Sequence, residues 1–180
     1  MLIAQEKRKQ NITEYILYMY QVEDTIRACD FNMDMLENRV ISQFQVPETV
    51  KMEIRDWYSN ILLMMHEEGV KKSGHISLLT SLVDDLNKLH LKLLNEIRDQ
   101  KYLEQYAIAH ANIRDFESKL GSEVKTEIDT CLTALYVLLL LRLQKKDISQ
   151  ETREAMQTFS NMMALLGVWF KKVEEGKLAL

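Results

Sequence analysis

Chain breakers are scarce in this sequence. One proline, Pro47, and five glycines interrupt 180 residues. No Pro/Gly-rich linker divides the chain and no low-complexity segment is present. A single domain over residues 1–180 is therefore expected, since a core of about 150 residues already buries roughly two-thirds of the unfolded surface. Sustained apolar/polar alternation is also missing, which argues against strands. Long hydrophobic runs are absent too. The longest, Thr130 to Leu141 ahead of Arg142, has 12 residues, whereas crossing a bilayer takes roughly twenty. It reads as a helix buried on all sides, and no membrane partner is expected.

Positive charge is not concentrated. Lys and Arg number 23 against 27 Asp and Glu, a net charge of −4, and Lys7, Arg8 and Lys9 form the one basic run longer than a pair. Nucleic acid, which demands a dense basic face to displace counterions, is not an expected partner. The two cysteines, Cys29 and Cys131, lack CxxC or zinc spacing and sit among apolar neighbours, the pattern of reduced core thiols. The opening residues from Met1 to Lys9 turn charged before an apolar stretch of signal-peptide length can form, so a cytoplasmic location is expected.

Helical periodicity is what the sequence does have. From Ala4 to Cys29 the apolar positions Ile12, Tyr15, Met19, Val22, Ile26 and Cys29 recur at alternating intervals of three and four, one face of a helix. A second helix is expected from Met33 to Phe44, capped by Asp30 or Asn32, and a third from Pro47 to Glu68, with Pro47 at its first position and Gly69 as a left-handed stop. The fourth carries Leu79, Leu82, Leu86, Leu89 and Leu93. The fifth carries Tyr102, Tyr106, Ala109, Ile113, Phe116 and Leu120, and Gly121-Ser122 ends it and caps the sixth. The sixth, central helix holds the apolar run, and the last starts after Ser149. Around Asp99 to Lys101 no glycine or proline occurs, so whether the fourth and fifth helices are separate stays open. The fold class is all-α: a compact bundle of about seven helices, mostly antiparallel up-and-down neighbours.

The opening segment, Ile3-Ala4-Gln5 through Lys7-Arg8, Asn11-Ile12, Glu14-Tyr15, Leu17-Tyr18-Met19 and Gln21-Val22-Glu23-Asp24 to Ile26-Arg27-Ala28, resembles the start of an uncharacterised family of Bacteroides-type bacteria known only as a domain of unknown function. The resemblance extends over essentially the whole chain. It implies a single small bacterial cytoplasmic domain and no particular catalytic or binding residue.

Bundle metal sites pair Glu-x-x-His motifs. His66, His75, His90 and His110 have no carboxylate three or four residues away, and neither a metal nor another cofactor is expected. All-helical nucleotide pyrophosphohydrolases hold magnesium with Glu-x-x-Glu and Glu-x-x-Asp. Glu53 to Asp56 matches the second half, but Asp34 to Glu37 begins with the wrong carboxylate. Asp84-Asp85 resembles an aspartate-rich synthase motif that Lys88 fails to complete. Gly69 to Gly74 has phosphate-loop glycine spacing, yet His75-Ile76 replaces the required lysine and hydroxyl. Lys71, Lys72 and Ser73, with the amides opening the fourth helix, remain a candidate anion site.

The remaining candidates lie on the first helix. At about 100° per residue, Glu14, Tyr18, Gln21 and Thr25 follow one border of its apolar face, and Glu23 and Arg27 follow the other. Glu23 and Arg27, one turn apart, are also placed to pair with each other. Two functions follow. One is a non-catalytic interaction or scaffolding domain, self-associating or bound to another protein through surplus apolar faces. The other is a bundle that holds a small polar ligand between helices, with Glu14, Tyr18, Gln21, Glu23 and Arg27 lining the pocket.

Overall fold

Helical periodicity becomes eight α-helices among the residues described by the computed structural model, 2–120 and 126–180. They are α1 (Leu2–Gln10), α2 (Ile12–Ala28), α3 (Met33–Arg39), α4 (Glu48–Glu67), α5 (Ser77–Lys92), α6 (Gln100–Leu120), α7 (Glu127–Leu143) and α8 (Gln150–Glu174). A 3₁₀ turn, Ile41–Gln43, follows α3, and a π-helical turn, Leu93–Ile97, follows α5. No strand occurs among the described residues.

The eighth helix arises because the expected first helix is two. Asn11 takes an extended conformation (φ −160°, ψ 130°), and its side chain accepts the Thr13 N–H at 2.8 Å. An asparagine that satisfies a free amide starts a helix well. The chain keeps its ladder on both sides, with Asn11 N–H donating to Lys7 O at 2.9 Å and Tyr15 N–H to Asn11 O at 3.1 Å. The break is held from outside by α8. A Cβ on Gly167 would lie 2.7 Å from both terminal atoms of the Asn11 side chain, so only glycine admits this approach.

The other ends follow local chemistry. Asn32 caps α3 by accepting the Met35 N–H at 3.0 Å. Pro47 sits one residue earlier than expected, as the cap of α4, its carbonyl accepting the Val50 and Lys51 amides at 2.9 and 3.0 Å. Gly69 stops α4 with φ +73°, and Val70 N–H reaches back to Met65 O at 3.0 Å, the bond of a left-handed helix stop. Helices α5 and α6 are separate. Arg98 takes φ +54° between them, and Asp99 then caps α6 by accepting the Tyr102 N–H at 2.9 Å. Thr126 caps α7, accepting from Asp129 N–H at 3.2 Å; the expected stop and cap at Gly121 and Ser122 lie outside the described residues. α8 starts after Ser149, as expected, and Ser149 caps it by accepting from the Thr152 N–H.

Helices α7 and α8 form the centre, each packing on α2, α5 and α6 as well as on the other. α8 runs antiparallel to α6: Lys101 and Gln105 share a groove with Leu165 and Val168, and Asp115 and Lys119 share another with Glu151 and Ala155. It also runs antiparallel to α1 and α2, where Arg8, Asn11 and Thr13 meet Glu174, Gly167 and Met163 in turn. In α7 the first half is enclosed, with Ile128, Cys131, Leu132 and Ala134 fully buried. The second half is not: Val137 and Leu143 are 39% and 57% exposed, which corrects the expectation of burial on all sides. Cys29 and Cys131 are both buried and unpaired. Among the described residues no helix is long and apolar enough to cross a membrane.

Candidate functional site

The two polar borders of α2 meet different surroundings. Glu23, on one border, is 0% exposed. Its carboxylate accepts the Ile76 N–H at 2.9 Å and lies 2.5 Å from His75 Nδ1. The His75 ring stacks on Tyr20, with centroids 3.6 Å apart. Arg27 does not pair with Glu23. It binds Asp24 at 2.8 Å, takes Val70 O at 3.0 Å and also reaches Gly74 O. The Tyr136 O–H donates to the second oxygen of Asp24 at 2.6 Å. Glu23, Asp24 and Arg27 thus tie the segment from Val70 to Ile76 and helix α7 to α2. Both carboxylate oxygens of Glu23 are spent, and it is closed to a ligand.

That segment carries the candidate anion residues Lys71, Lys72 and Ser73. The amides at the start of α5 already hold carboxylates of the protein itself. Glu23 accepts from Ile76 N–H, and Glu68 accepts from both the Ser77 amide and, at 3.0 Å, the Ser77 hydroxyl. Lys71 lies over the Phe31 ring at 5.7 Å. Lys72 and Ser73 are exposed. Negative charge does collect where the dipole of α5 favours it, but it comes from within the fold.

The opposite border opens on space. Glu14, Tyr18 and Gln21 line a cleft of about 360 Å³ between α2, α7 and α8, together with Lys7, Ser160 and Arg142. Its apolar lining is Leu17, Leu135, Leu138, Leu139 and Met163. Lys7 Nζ lies 3.4 Å from Glu14 Oε2 and 6.0 Å from the Tyr18 ring centre. Burial holds the Tyr18 hydroxyl well above the ordinary tyrosine range, so it stays protonated. Thr25, expected on the same border, instead donates to Gln21 O at 2.7 Å along the helix. The side chains of Gln21, Ser160 and Arg142 have no hydrogen-bond or ion-pair partner among the described residues. Directional donors and acceptors are left unspent above a leucine surface, which is the composition of a ligand pocket.

A second polar network escaped the search by spacing. His90, 1% exposed, lies 2.7 Å through Nδ1 from the Tyr102 hydroxyl and 3.1 Å through Nε2 from Glu127. In a neutral ring whose Nε2–H is given to Glu127, Nδ1 accepts the Tyr102 O–H. The Tyr106 O–H donates to the other Glu127 oxygen at 3.2 Å, and His110 Nε2 lies 3.8 Å from that oxygen. The His90 hydrogen bond holds the Glu127 carboxyl below the usual carboxylate range, against the opposing effect of its burial. Burial first, and then the Glu127 charge, pushes the Tyr106 hydroxyl up to about 12. The only sequence sign of this network was Tyr102, Tyr106 and His110 at intervals of four on one helix face. Tyr102 at one end is fully buried, Glu127 and His110 at the other are 23% and 48% exposed, and the network ties α5 and α6 to the first turn of α7.

The remaining carboxylate motifs lie at the surface. Glu53 and Asp56 are exposed, Glu37 pairs with Arg55 at 3.3 Å, and Asp85 pairs with Lys88 at 2.7 Å. Among the described residues no group of three His, Cys, Asp or Glu is gathered as a metal ion requires.

Fold and site together define an all-helical protein with a solvent-open cleft beside its central helices. The family described as Domain of unknown function (DUF4924) matches residues 1–177, and the chain belongs to that family. No curated protein and no solved structure matches it.

Proposed function

We propose that this protein binds a small polar molecule in the cleft between α2, α7 and α8. One observation supports this above the rest. Gln21, Ser160 and Arg142 line it with no side-chain partner among the described residues, over a floor of Leu135, Leu138 and Leu139. Gln21 and Ser160 are half-buried and Arg142 is exposed, so their hydrogen bonds are open to a ligand in place of water. In this cleft Gln21 offers both a donor and an acceptor. Glu14 and Lys7 form the charged edge. A cytoplasmic setting belongs to the proposal and agrees with two buried cysteines left as thiols.

Native mass spectrometry of protein purified gently from its own host tests it, with Ser160→Phe alongside to fill the cleft. A reproducible added mass on the wild type, missing from Ser160→Phe, supports the proposal. A bare chain in both samples, or a mass indifferent to Ser160→Phe, contradicts it.

Self-association is the second candidate, and a different surface favours it. Ile108 on α6 and Val168 on α8 are 57% and 56% exposed, and Val168 borders a groove of about 470 Å³ with Ala164 and Leu165. A second copy of this chain would cover that apolar strip. The same spectrum counts the subunits: a dimer broken by Val168→Glu supports this surface, and a monomer throughout removes it.

A further inference from the structure

We infer that the ligand of the cleft is a small amphipathic anion, an apolar body carrying one carboxylate, with Arg142 as the group that receives its head. The inference rests on the cleft being a binding site and adds the chemistry of its occupant. It starts from charge. Lys7 and Arg142 are the basic residues of the lining and Glu14 is its acidic one. Glu14 is engaged by Lys7 at 3.4 Å, whereas Arg142 has no ion-pair partner among the described residues. One positive charge is therefore left over. A cationic ligand would meet an uncompensated guanidinium, and a neutral one would leave it to water alone. A carboxylate matches its two parallel N–H donors.

The floor then sets the body. Leu17, Leu135, Leu138, Leu139 and Met163 supply apolar surface, which a free inorganic anion or a sugar would leave wet. A hydrocarbon body gains by covering it. The cleft volume of about 360 Å³ is in the range of sites that take small molecules. Gln21 and Ser160 are then free to hold a hydroxyl, amide or keto group on that body, the usual division between apolar lining and a few orienting polar groups.

Isothermal titration of the purified chain with octanoate, octanamide and octylammonium tests the inference, using wild type, Arg142→Gln, Arg142→Lys and Ser160→Phe. Arg142 is exposed, so its replacements leave the fold intact, which circular dichroism checks. Octanoate should bind one to one and more tightly than either analogue. Arg142→Gln should weaken it about tenfold or more, Arg142→Lys should recover part of that loss, and Ser160→Phe should abolish binding. Octanamide or octylammonium binding as tightly as octanoate, or octanoate binding that ignores Arg142→Gln, overturns the inference while the cleft remains a binding site. So does an added mass in the native spectrum from a chain that does not take up octanoate. Octanoate binding that survives Ser160→Phe places the occupant elsewhere and also overturns it. A bare native chain that binds none of the three probes overturns the inference and the proposed function together.

Discussion

The two borders of α2 carry similar residues and meet opposite fates. Glu23, Asp24 and Arg27 are consumed: between them they hold His75, two loop carbonyls, the Ile76 amide and the Tyr136 hydroxyl. Gln21 and its neighbours face a cleft, with Gln21 lacking any side-chain partner among the described residues. Polar residues beside a helix's apolar face therefore do not announce their role by type. What separates them is whether the fold spends their hydrogen bonds, since a buried group must be satisfied and a cleft-facing one can wait for a ligand.

The largest effect should come from breaking the spent border. Glu23→Ala removes the acceptor of one buried amide and one imidazole N–H, and should lower stability by about 3 kcal/mol in urea unfolding; a loss under about 1 kcal/mol would mean that the loop segment is held without it. Next comes the break that opens the unspent border. Gly167→Ala drives a Cβ into the Asn11 side chain and should cost about 1–3 kcal/mol. Asn11→Ala by itself loses the cap of α2, about 1 kcal/mol, but makes room for that Cβ, so the double variant should be more stable than the sum of the single losses predicts. Strict additivity in the cycle would show that the two residues do not press on each other. Tyr136→Phe removes one hydrogen bond to Asp24 and should cost about 1 kcal/mol, read by thermal unfolding.

The Glu127 network sharpens the comparison through pH. The carboxyl is held below its unfolded value by His90, so the folded chain binds fewer protons there than the unfolded chain does. This contribution to stability is fully present above the unfolded carboxyl pKa of about 4.3 and is lost as pH falls through the lower, folded value. Glu127→Gln should therefore flatten the acid limb of a stability-versus-pH curve. An unchanged limb would remove Glu127 from the groups that set acid sensitivity.

Much of the architecture was legible from periodicity and caps, because those are local. Asn32, Ser149 and the stop at Gly69 act within a few residues of themselves. The first-helix break was not legible, because Asn11 interrupts no apolar repeat and its cause, Gly167, lies on α8. The α5–α6 boundary hid behind an arginine, since Arg98 adopts the left-handed conformation usually left to glycine. The candidate site was legible only in part. Helical spacing placed Glu14, Tyr18 and Gln21 on one border, and the fold brings them to one cleft. Spacing could not reveal that Glu23 meets His75 52 positions away, nor that Glu127 meets His90 37 positions away. A search for metal or acid–base motifs at intervals of three or four passes over both pairs.

The most direct test is the urea unfolding of the double variant Gln21→Leu, Arg142→Ala beside Glu23→Gln. If the cleft border is unspent by the fold, the double variant stays within about 0.5 kcal/mol of wild type while Glu23→Gln loses about 2 kcal/mol. A double variant that loses as much as Glu23→Gln would show that both borders serve stability alike, and would contradict the assignment of the cleft to a ligand.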